Sequence, residues 1–207
     1  MIQNVCEPVV FVRHGETAWN LEARFQGSTN TQLAATGQEQ ARNNGQMISR
    51  LCLEGALDKD DTSIISSPLA RARETASIIC DELGMKVPLR SDDRIREISM
   101  GRWEGLTSQE VKDKYYEERK TRKLDPWQFA PEGGESCAHR LPEVQGFLKN
   151  LTPNTIVITH AGILRIVFHF LANLETKQAS QLKVPHNGIF LWQKGNFDTL
   201  LHEPSAK

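Results

Sequence analysis

The stretch Val9-Val10-Phe11-Val12-Arg13-His14-Gly15-Glu16-Thr17 decides how the rest of the chain is read. Four apolar residues run without interruption into a cation, an imidazole and a glycine, which is the pattern of a buried strand whose C-terminal end opens onto a site. Thr155-Ile156-Val157-Ile158-Thr159 repeats the pattern and runs into His160-Ala161-Gly162. Strand C-termini converge on one crevice in an open α/β sheet, so His14 and His160 are expected to be neighbours.

Outward from these strands, Thr17 to Gln32 is polar and reads as a loop over the first strand's end. Thr36 with Glu39 makes a capping-box pattern for a helix to about Leu53. Thr62 to Ser66 reads as a short strand, and Ser67-Pro68 as the N-cap and first position of a helix that continues from Leu69 to Leu83. Val87-Pro88-Leu89 is a weaker strand, restricted by its proline to an edge or a terminus. Thr107 to Arg122 predicts one charged helix, and Lys123 to Ser136 a loop. Ser136 opens a helix to about Leu151, and a mostly apolar helix runs from Ile163 to about Leu174. Gly188 to Gln193 and Asp198 to His202 read as two last strands joined at Gly195-Asn196. This alternation predicts an α/β fold, residues 1–207 in one domain, with a mainly parallel sheet covered on both faces and an antiparallel edge strand from the late hairpin.

With 207 residues, Lys+Arg 25 and Asp+Glu 26, the chain has a formal charge of -1 and no overall counter-charge for nucleic acid or acidic membranes. The four cysteines, Cys6, Cys52, Cys80 and Cys137, lack C-x-x-C spacing and the density of a stapled secreted scaffold, so reduced thiols in a cytoplasm are expected. Met1 to Pro8 carries no basic region followed by an apolar run, and no window approaches the roughly 18 apolar residues of a membrane span, so the expectation is a soluble, unprocessed protein. Glu203 to Lys207 reads as a frayed tail. Oligomeric state is left open.

A pair of histidines at two strand ends calls for a chemistry, and phosphoryl transfer fits the neighbouring residues. A phosphoryl group brings two negative charges and three acceptor oxygens, which guanidinium forks satisfy. Arg13 lies beside His14, although it would point to the other face of a regular strand unless the backbone turns at Gly15. Arg71, one turn into the helix after Ser66-Ser67-Pro68, is the second candidate, and that helix's N-terminus adds a favourable dipole. Arg73 reads as a solvent cation, and His139, His169, His186 and His202 read as structural or surface residues. His14 attacks phosphorus only as a neutral ring, and nearby arginines lower its pKa. The departing alkoxide needs a carboxylic acid; Glu97, between Ile95 and Ile98, has the most apolar setting, while Glu16 is nearer in sequence, and spacing leaves both open. Neither H-E-x-x-H nor a paired-carboxylate pattern accompanies His14 or His160, which argues against a metal site.

Arg13-His14-Gly15-Glu16-Thr17 with Asn20 resembles the signature of the histidine phosphatase superfamily, phosphoglycerate mutase-like branch. The likeness extends to Arg24-Phe25-Gln26-Gly27, Leu33 through Gly37, Ser66 through Ala76, Glu97 through Gly105, Gly133-Gly134-Glu135-Ser136 and Thr159-His160-Ala161-Gly162, in the family's order. The resemblance implies a three-layer α/β/α sandwich and a phosphohistidine intermediate on His14, with Glu97 as proton donor and then as base for water. It also implies phosphoryl binding by Arg13, Arg71 and His160 with help from Asn20, Gln26 and Gly27 at the mouth, and no metal or cofactor. Glu97 is thus chosen over Glu16 by the resemblance alone. His160-Ala161-Gly162, in place of the mutases' His-Gly-Asn, and the compact middle segment are similar to the phosphatase members.

The expected activity is therefore a phosphomonoesterase acting on a small phosphorylated metabolite, with a cofactor-dependent phosphoglycerate mutase as the alternative. A phosphate-recognising protein without turnover would be expected to lack the nucleophile or an arginine, and this chain retains them. Trp19, Phe25, Trp103, Trp127 and Phe129 are placed to line a pocket, though aromatics are core residues at least as often. The sequence does not choose the substrate.

Overall fold

The computed structural model describes residues 6–85 and 89–202. The strand expected at Val87-Pro88-Leu89 and the tail from Glu203 lie wholly or mostly outside these residues. Six strands, β1 (Val9–Arg13), β2 (Ser63–Ser66), β3 (Arg90–Ser91), β4 (Thr155–Thr159), β5 (Gly188–Gln193) and β6 (Asn196–Leu201), form one sheet in the order β3-β2-β4-β1-β5-β6. The first four pair in parallel, whereas β5 runs antiparallel to β1 and to β6. The hairpin turns at Lys194 and Gly195, both with positive φ, a backbone twist that suits a two-residue hairpin.

Alternation along the strands divides the core into two layers. Val9 and Phe11 of β1 face one cluster with Val157, Phe190 and Trp192. Val10 and Val12 face the other, with Ile64, Ile156, Ile158 and Ile189. Helices α2 (Ala35–Leu53) and α3 (Ala70–Leu83) cover the second face through Ile48, Leu51, Ala72, Ala76 and Ile79. Helices α6 (Cys137–Leu148) and α7 (Ala161–Leu171) cover the first through Val144, Phe147, Ile163 and Val167. Buried on both faces, β1 and β4 have no polar positions to spare, which is why they read as continuous apolar runs. The expected three-layer α/β/α sandwich is what the chain forms.

The helix following β1 lies on one face and the helix following β4 on the other. Adjacent parallel strands whose connections part in this way leave a crevice at their C-terminal ends. The site sits there.

Several local expectations need correction. Thr36 does not cap α2: the helix begins at Ala35 with Ala34 as N-cap and no side-chain cap, and Ala34 N–H instead donates to Glu16 O at 2.8 Å. Tertiary contact with the strand-end loop replaces the local cap. Ser67 is not the N-cap of α3, a position taken by Leu69. The charged segment after Thr107 is two helices, α4 (Ser108–Lys114) and α5 (Tyr116–Leu124), broken at Tyr115 with φ of -134°. Two short helices escaped the periodic reading, α1 (Ala18–Leu21) inside the first loop and α8 (Thr176–Gln181) after α7.

Candidate active site

The parallel register of β1 on β4 pairs Arg13 with Thr159, so the next residue on each strand is a histidine. His14 N–H donates to Thr159 O at 3.0 Å, and the His14 and His160 ring centroids lie 5.0 Å apart. The expected convergence of two strand ends is therefore a direct result of register. Gly15 is needed for space and not for a left-handed turn: a Cβ there would lie 2.1 Å from Gly37 O, where α2 begins. The expectation that Gly15 supplies special backbone freedom is corrected accordingly.

His14 is buried, and its Nδ1 meets Gly15 O at 2.7 Å. That carbonyl can only accept, so Nδ1 carries the proton and Nε2 keeps its lone pair. Burial lowers the ring's pKa well below the ordinary histidine value, and His160, Arg71 and Arg13 add to the effect. His14 is thus a neutral imidazole with one nitrogen free to act as a nucleophile.

Three buried N–H positions around it have no partner among the described residues: Arg13 Nε, Arg71 Nε and His160 Nδ1. His160 Nε2 lies 2.7 Å from Ser67 Oγ, and Ser67 Oγ also accepts Leu69 N–H at 3.3 Å. Among the described residues the Ser67 hydroxyl has no acceptor other than Nε2, so its proton is assigned to Nε2 and the His160 proton to Nδ1, a donor without an acceptor. Burial, then Arg71 and Arg13, lower the His160 pKa as well. Unsatisfied buried donors of this kind are uncommon in native proteins; here they gather around one buried imidazole, as an anionic ligand would require.

Arg13 reaches Val184 O through NH1 at 2.5 Å, and burial lowers its pKa to about 10 against the raising effect of Glu97. Arg71, fully buried on the first turn of α3, holds Gly27 O and Thr29 O at 2.7 and 2.8 Å. The first amides of α3 are already engaged, Leu69 N by Ser67 and Ala70 N by Asn30 Oδ1 at 2.6 Å, so the expected dipole contribution is shared with protein acceptors. Gln26 is buried and accepts from Thr31 Oγ1 at 2.7 Å. Asn20 accepts from Thr17 N–H and Oγ1 through Oδ1, leaving its amide nitrogen without a partner among the described residues.

Glu97 follows a short 3-10 turn, Asp93–Ile95, that Thr159 Oγ1 ties to β4 through Ile95 O at 2.8 Å. Its carboxylate accepts Ile98 N–H at 3.0 Å and Gly162 N–H at 3.3 Å. A Cβ at Gly162 would lie 2.5 Å from Glu97 Oε1, so the small residue after His160 makes room for the acid. A cleft of about 280 Å³ is lined by Arg13, His14, Asn20, Gln26, Gly27, Arg71 and Glu97, among others. His160 stands behind it, and Glu16 and Arg73 are not among its lining residues. All eight residues singled out in the sequence are thus together. Among the described residues no group of three His, Cys, Asp or Glu side chains is arranged to hold a metal ion.

Sequence reasoning missed two neighbours. Ser67 was read as a cap, yet it sets the His160 tautomer. His186, expected to be structural or superficial, packs its ring 5.4 Å from that of His14 and donates Nδ1–H to His14 O at 2.6 Å. Its signal is the antiparallel pairing of Val12 with Ile189, which brings the residues before β5 alongside the end of β1. Of the aromatic residues, Phe25 and Phe129 line the cleft, whereas Trp103 and Trp127 are core residues.

Known proteins resemble this chain in sequence and in fold. The model of the histidine phosphatase superfamily (branch 1) matches residues 9–194. Phosphoserine phosphatase 1 of Hydrogenobacter thermophilus is 31% identical over 172 residues, 81% of this chain and 77% of that protein. The 2,3-bisphosphoglycerate-dependent phosphoglycerate mutase 2 of Gloeobacter violaceus is 29% identical over 186 residues, 86% of this chain and 81% of its own. The structure of mycobacterial glucosyl-3-phosphoglycerate phosphatase complexed with VO3 has a TM-score of 0.76, covering 98% of this chain and 100% of that one, at 23% identity, a likeness of fold. No helix of the described residues is long and apolar enough to cross a membrane.

Proposed function

The chain belongs to the histidine phosphatase superfamily, branch 1, and from that premise we propose that it is a phosphomonoesterase acting on a small phosphorylated metabolite through a phosphohistidine on His14. The observation that carries this reading is the neutral His14 ring, with Nδ1–H held by Gly15 O and Nε2 free among unpartnered N–H donors of Arg13, Arg71 and His160. In the first step His14 Nε2 attacks phosphorus, the N–P bond forms, the ester P–O bond breaks, and the Glu97 carboxyl gives its proton to the departing oxygen. In the second, the Glu97 carboxylate takes a proton from water, whose oxygen attacks phosphorus as the N–P bond breaks, releasing inorganic phosphate. Gly15 O stabilises the positive charge that develops on the imidazole, and the two arginines and His160 Nδ1–H stabilise charge on the phosphoryl oxygens.

Hydrolysis is favoured over mutase turnover because a mutase must keep water from the phosphoenzyme until its product returns, and the His160-Ala161-Gly162 sequence differs from the mutase pattern. Four unpaired cysteines support a reducing, cytoplasmic setting, which cell fractionation checks.

The test is phosphate release from p-nitrophenyl phosphate and from alkyl phosphates. His14→Ala is expected to lose activity by about 10⁴-fold or more, the order seen when a nucleophile is removed from a group of residues that acts as a unit. Glu97→Gln is expected to lose about 10²–10⁴-fold on alkyl esters and less on the aryl ester, whose leaving group needs no proton. Full activity of His14→Ala refutes the nucleophile, and equal losses on both ester types refute the acid. Interconversion of phosphoglycerates faster than their hydrolysis favours the mutase reading.

A further inference from the structure

Arg71 is held by a loop, and the loop by a carboxylate that takes no part in the proposed reaction. The terminal nitrogens of Arg71 donate to Gly27 O and Thr29 O at 2.7 and 2.8 Å, so its unpartnered Nε–H stands where those two carbonyls put it. Residues 27–29 belong to no helix or strand. A turn closes them, with Thr29 N–H reaching Gln26 O at 3.2 Å, and Glu104 supplies the rest. Its Oε1 accepts Ser28 N–H at 2.8 Å and the Ser28 hydroxyl at 2.9 Å, and its Oε2 accepts Thr29 N–H at 2.9 Å and the Thr29 hydroxyl. The two segments meet closely: Gly27 has a φ of +55°, and a Cβ there would lie 2.3 Å from Glu104 Oε1.

The same Oε1 accepts Met100 N–H at 3.1 Å and the Ser99 hydroxyl at 3.3 Å, in the segment that follows the proposed acid, Glu97. These partners are all neutral, so the charge of Glu104 is not spent on any of them. Burial opposes its ionisation, but the hydrogen bonds from Thr29, Ser28 and Met100 prevail and hold the carboxyl below its usual range. Burial lowers the Arg71 pKa in turn, and Glu97 and then Glu104 oppose that effect. Glu104 does not line the cleft. A carboxylate that merely closed a surface loop would matter to folding alone. Here the closed loop carries the carbonyls that aim Arg71, and displacement of a binding group by about 1 Å is enough to cost a large factor in rate.

We propose that Glu104 is a positioning residue of the phosphoryl pocket, acting through the Gly27–Thr29 loop to hold Arg71 against the phosphoryl group. This rests on the phosphatase reading above and extends it to a residue outside the reacting groups.

Glu104→Gln keeps the size of the side chain and turns one acceptor into an N–H donor that faces other donors. Its affinity for inorganic phosphate, measured by calorimetric titration, and its kcat/KM for p-nitrophenyl phosphate are each expected to fall by about tenfold, the range of a hydrogen bond to a charged group. Thr29→Val removes one hydroxyl donor and leaves the carboxylate; a smaller loss in the same direction is expected, in a variant that disturbs the fold less. A dissociation constant, unlike a rate, does not depend on the fraction of a preparation that is folded. In an Arg71→Ala background Glu104→Gln is expected to cost less than about twofold, because residues that act through one another are not additive. The ratio of alkyl-ester to aryl-ester kcat/KM is expected to stay at its wild-type value in Glu104→Gln. Unaltered phosphate affinity in both variants, a full loss retained in the Arg71→Ala background, or a loss confined to alkyl esters, which would place the action at Glu97, overturns the positioning role and leaves the phosphatase reading intact. A wild-type protein that hydrolyses no phosphomonoester, yet binds phosphate with an affinity that Glu104→Gln weakens, overturns the phosphatase reading alone. Neither hydrolysis nor phosphate binding by the wild type overturns both.

Discussion

At His14 the two ring nitrogens are assigned different tasks by one contact each: Gly15 O holds Nδ1–H, and Nε2 is left for phosphorus. The same logic operates at His160 through Ser67, and it makes Ser67 a positioning residue despite its reading as a helix cap. Ser67→Ala leaves His160 Nε2 without its donor at 2.7 Å, so the tautomer with the proton on Nε2 gains population and the Nδ1–H donor is lost. The expected result is a drop of about tenfold in kcat/KM, corresponding to about 1.5 kcal/mol for a hydrogen bond to a charged group, with weaker inhibition by inorganic phosphate. A Ser67→Ala enzyme whose inhibition by phosphate is unaltered would show that the hydroxyl does not set the tautomer. Of the residues here, the histidines were legible because each follows an apolar strand. Ser67 and His186 were not, because their partners lie 93 and 172 positions away.

At the level of elements, the loop after β1 and the first turn of α2 touch backbone to backbone. A Cβ at Gly37 would lie 2.0 Å from Glu16 O, and this contact replaces the cap that Thr36 was expected to provide. Gly37→Ala forces those backbones apart and is expected to cost about 2–3 kcal/mol, whereas Gly146, in α6 with nothing within 4 Å of an added Cβ, is a helix-interior glycine in open space. Gly146→Ala is expected to stabilise by about 0.5–1 kcal/mol. Urea unfolding of the two variants measures both signs, and a neutral Gly37→Ala would mean that the loop yields easily. The break between α4 and α5 belongs to this scale too. The charge pattern from Thr107 onward is continuous, but Trp103 Nε1 donates to Glu118 at 2.7 Å and Arg102 also binds Glu118, and these contacts from outside the segment anchor the second helix separately.

For the whole molecule, the cost of assembling this site appears in its acid stability. His186 is held at about 3 by burial and Arg13, and His14 and His160 lie well below their ordinary value of 6.5. The unfolded chain therefore binds more protons than the folded one below about pH 6.5, so the stability is complete above that pH and is lost as pH falls toward the folded values. Each such histidine contributes a slope of up to about 1.4 kcal/mol per pH unit, and three together are a large part of the roughly 5–15 kcal/mol of a typical domain. The urea midpoint is expected to fall steeply between pH 7 and pH 5; a flat profile over that range would contradict the buried neutral histidines. The sequence by itself determined the two apolar strands with histidines at their ends, the alternation with helices that makes a covered sheet, and the residue types that suit an anion. Those are local properties of periodicity and side-chain chemistry, readable within a few residues. Only the tertiary structure decided which carboxylate lines the cleft with His14, which hydroxyl orients His160, and that Glu16 and Arg73 do not line that cleft. These depend on strand register and on packing between segments far apart in the chain, where local patterning carries no information.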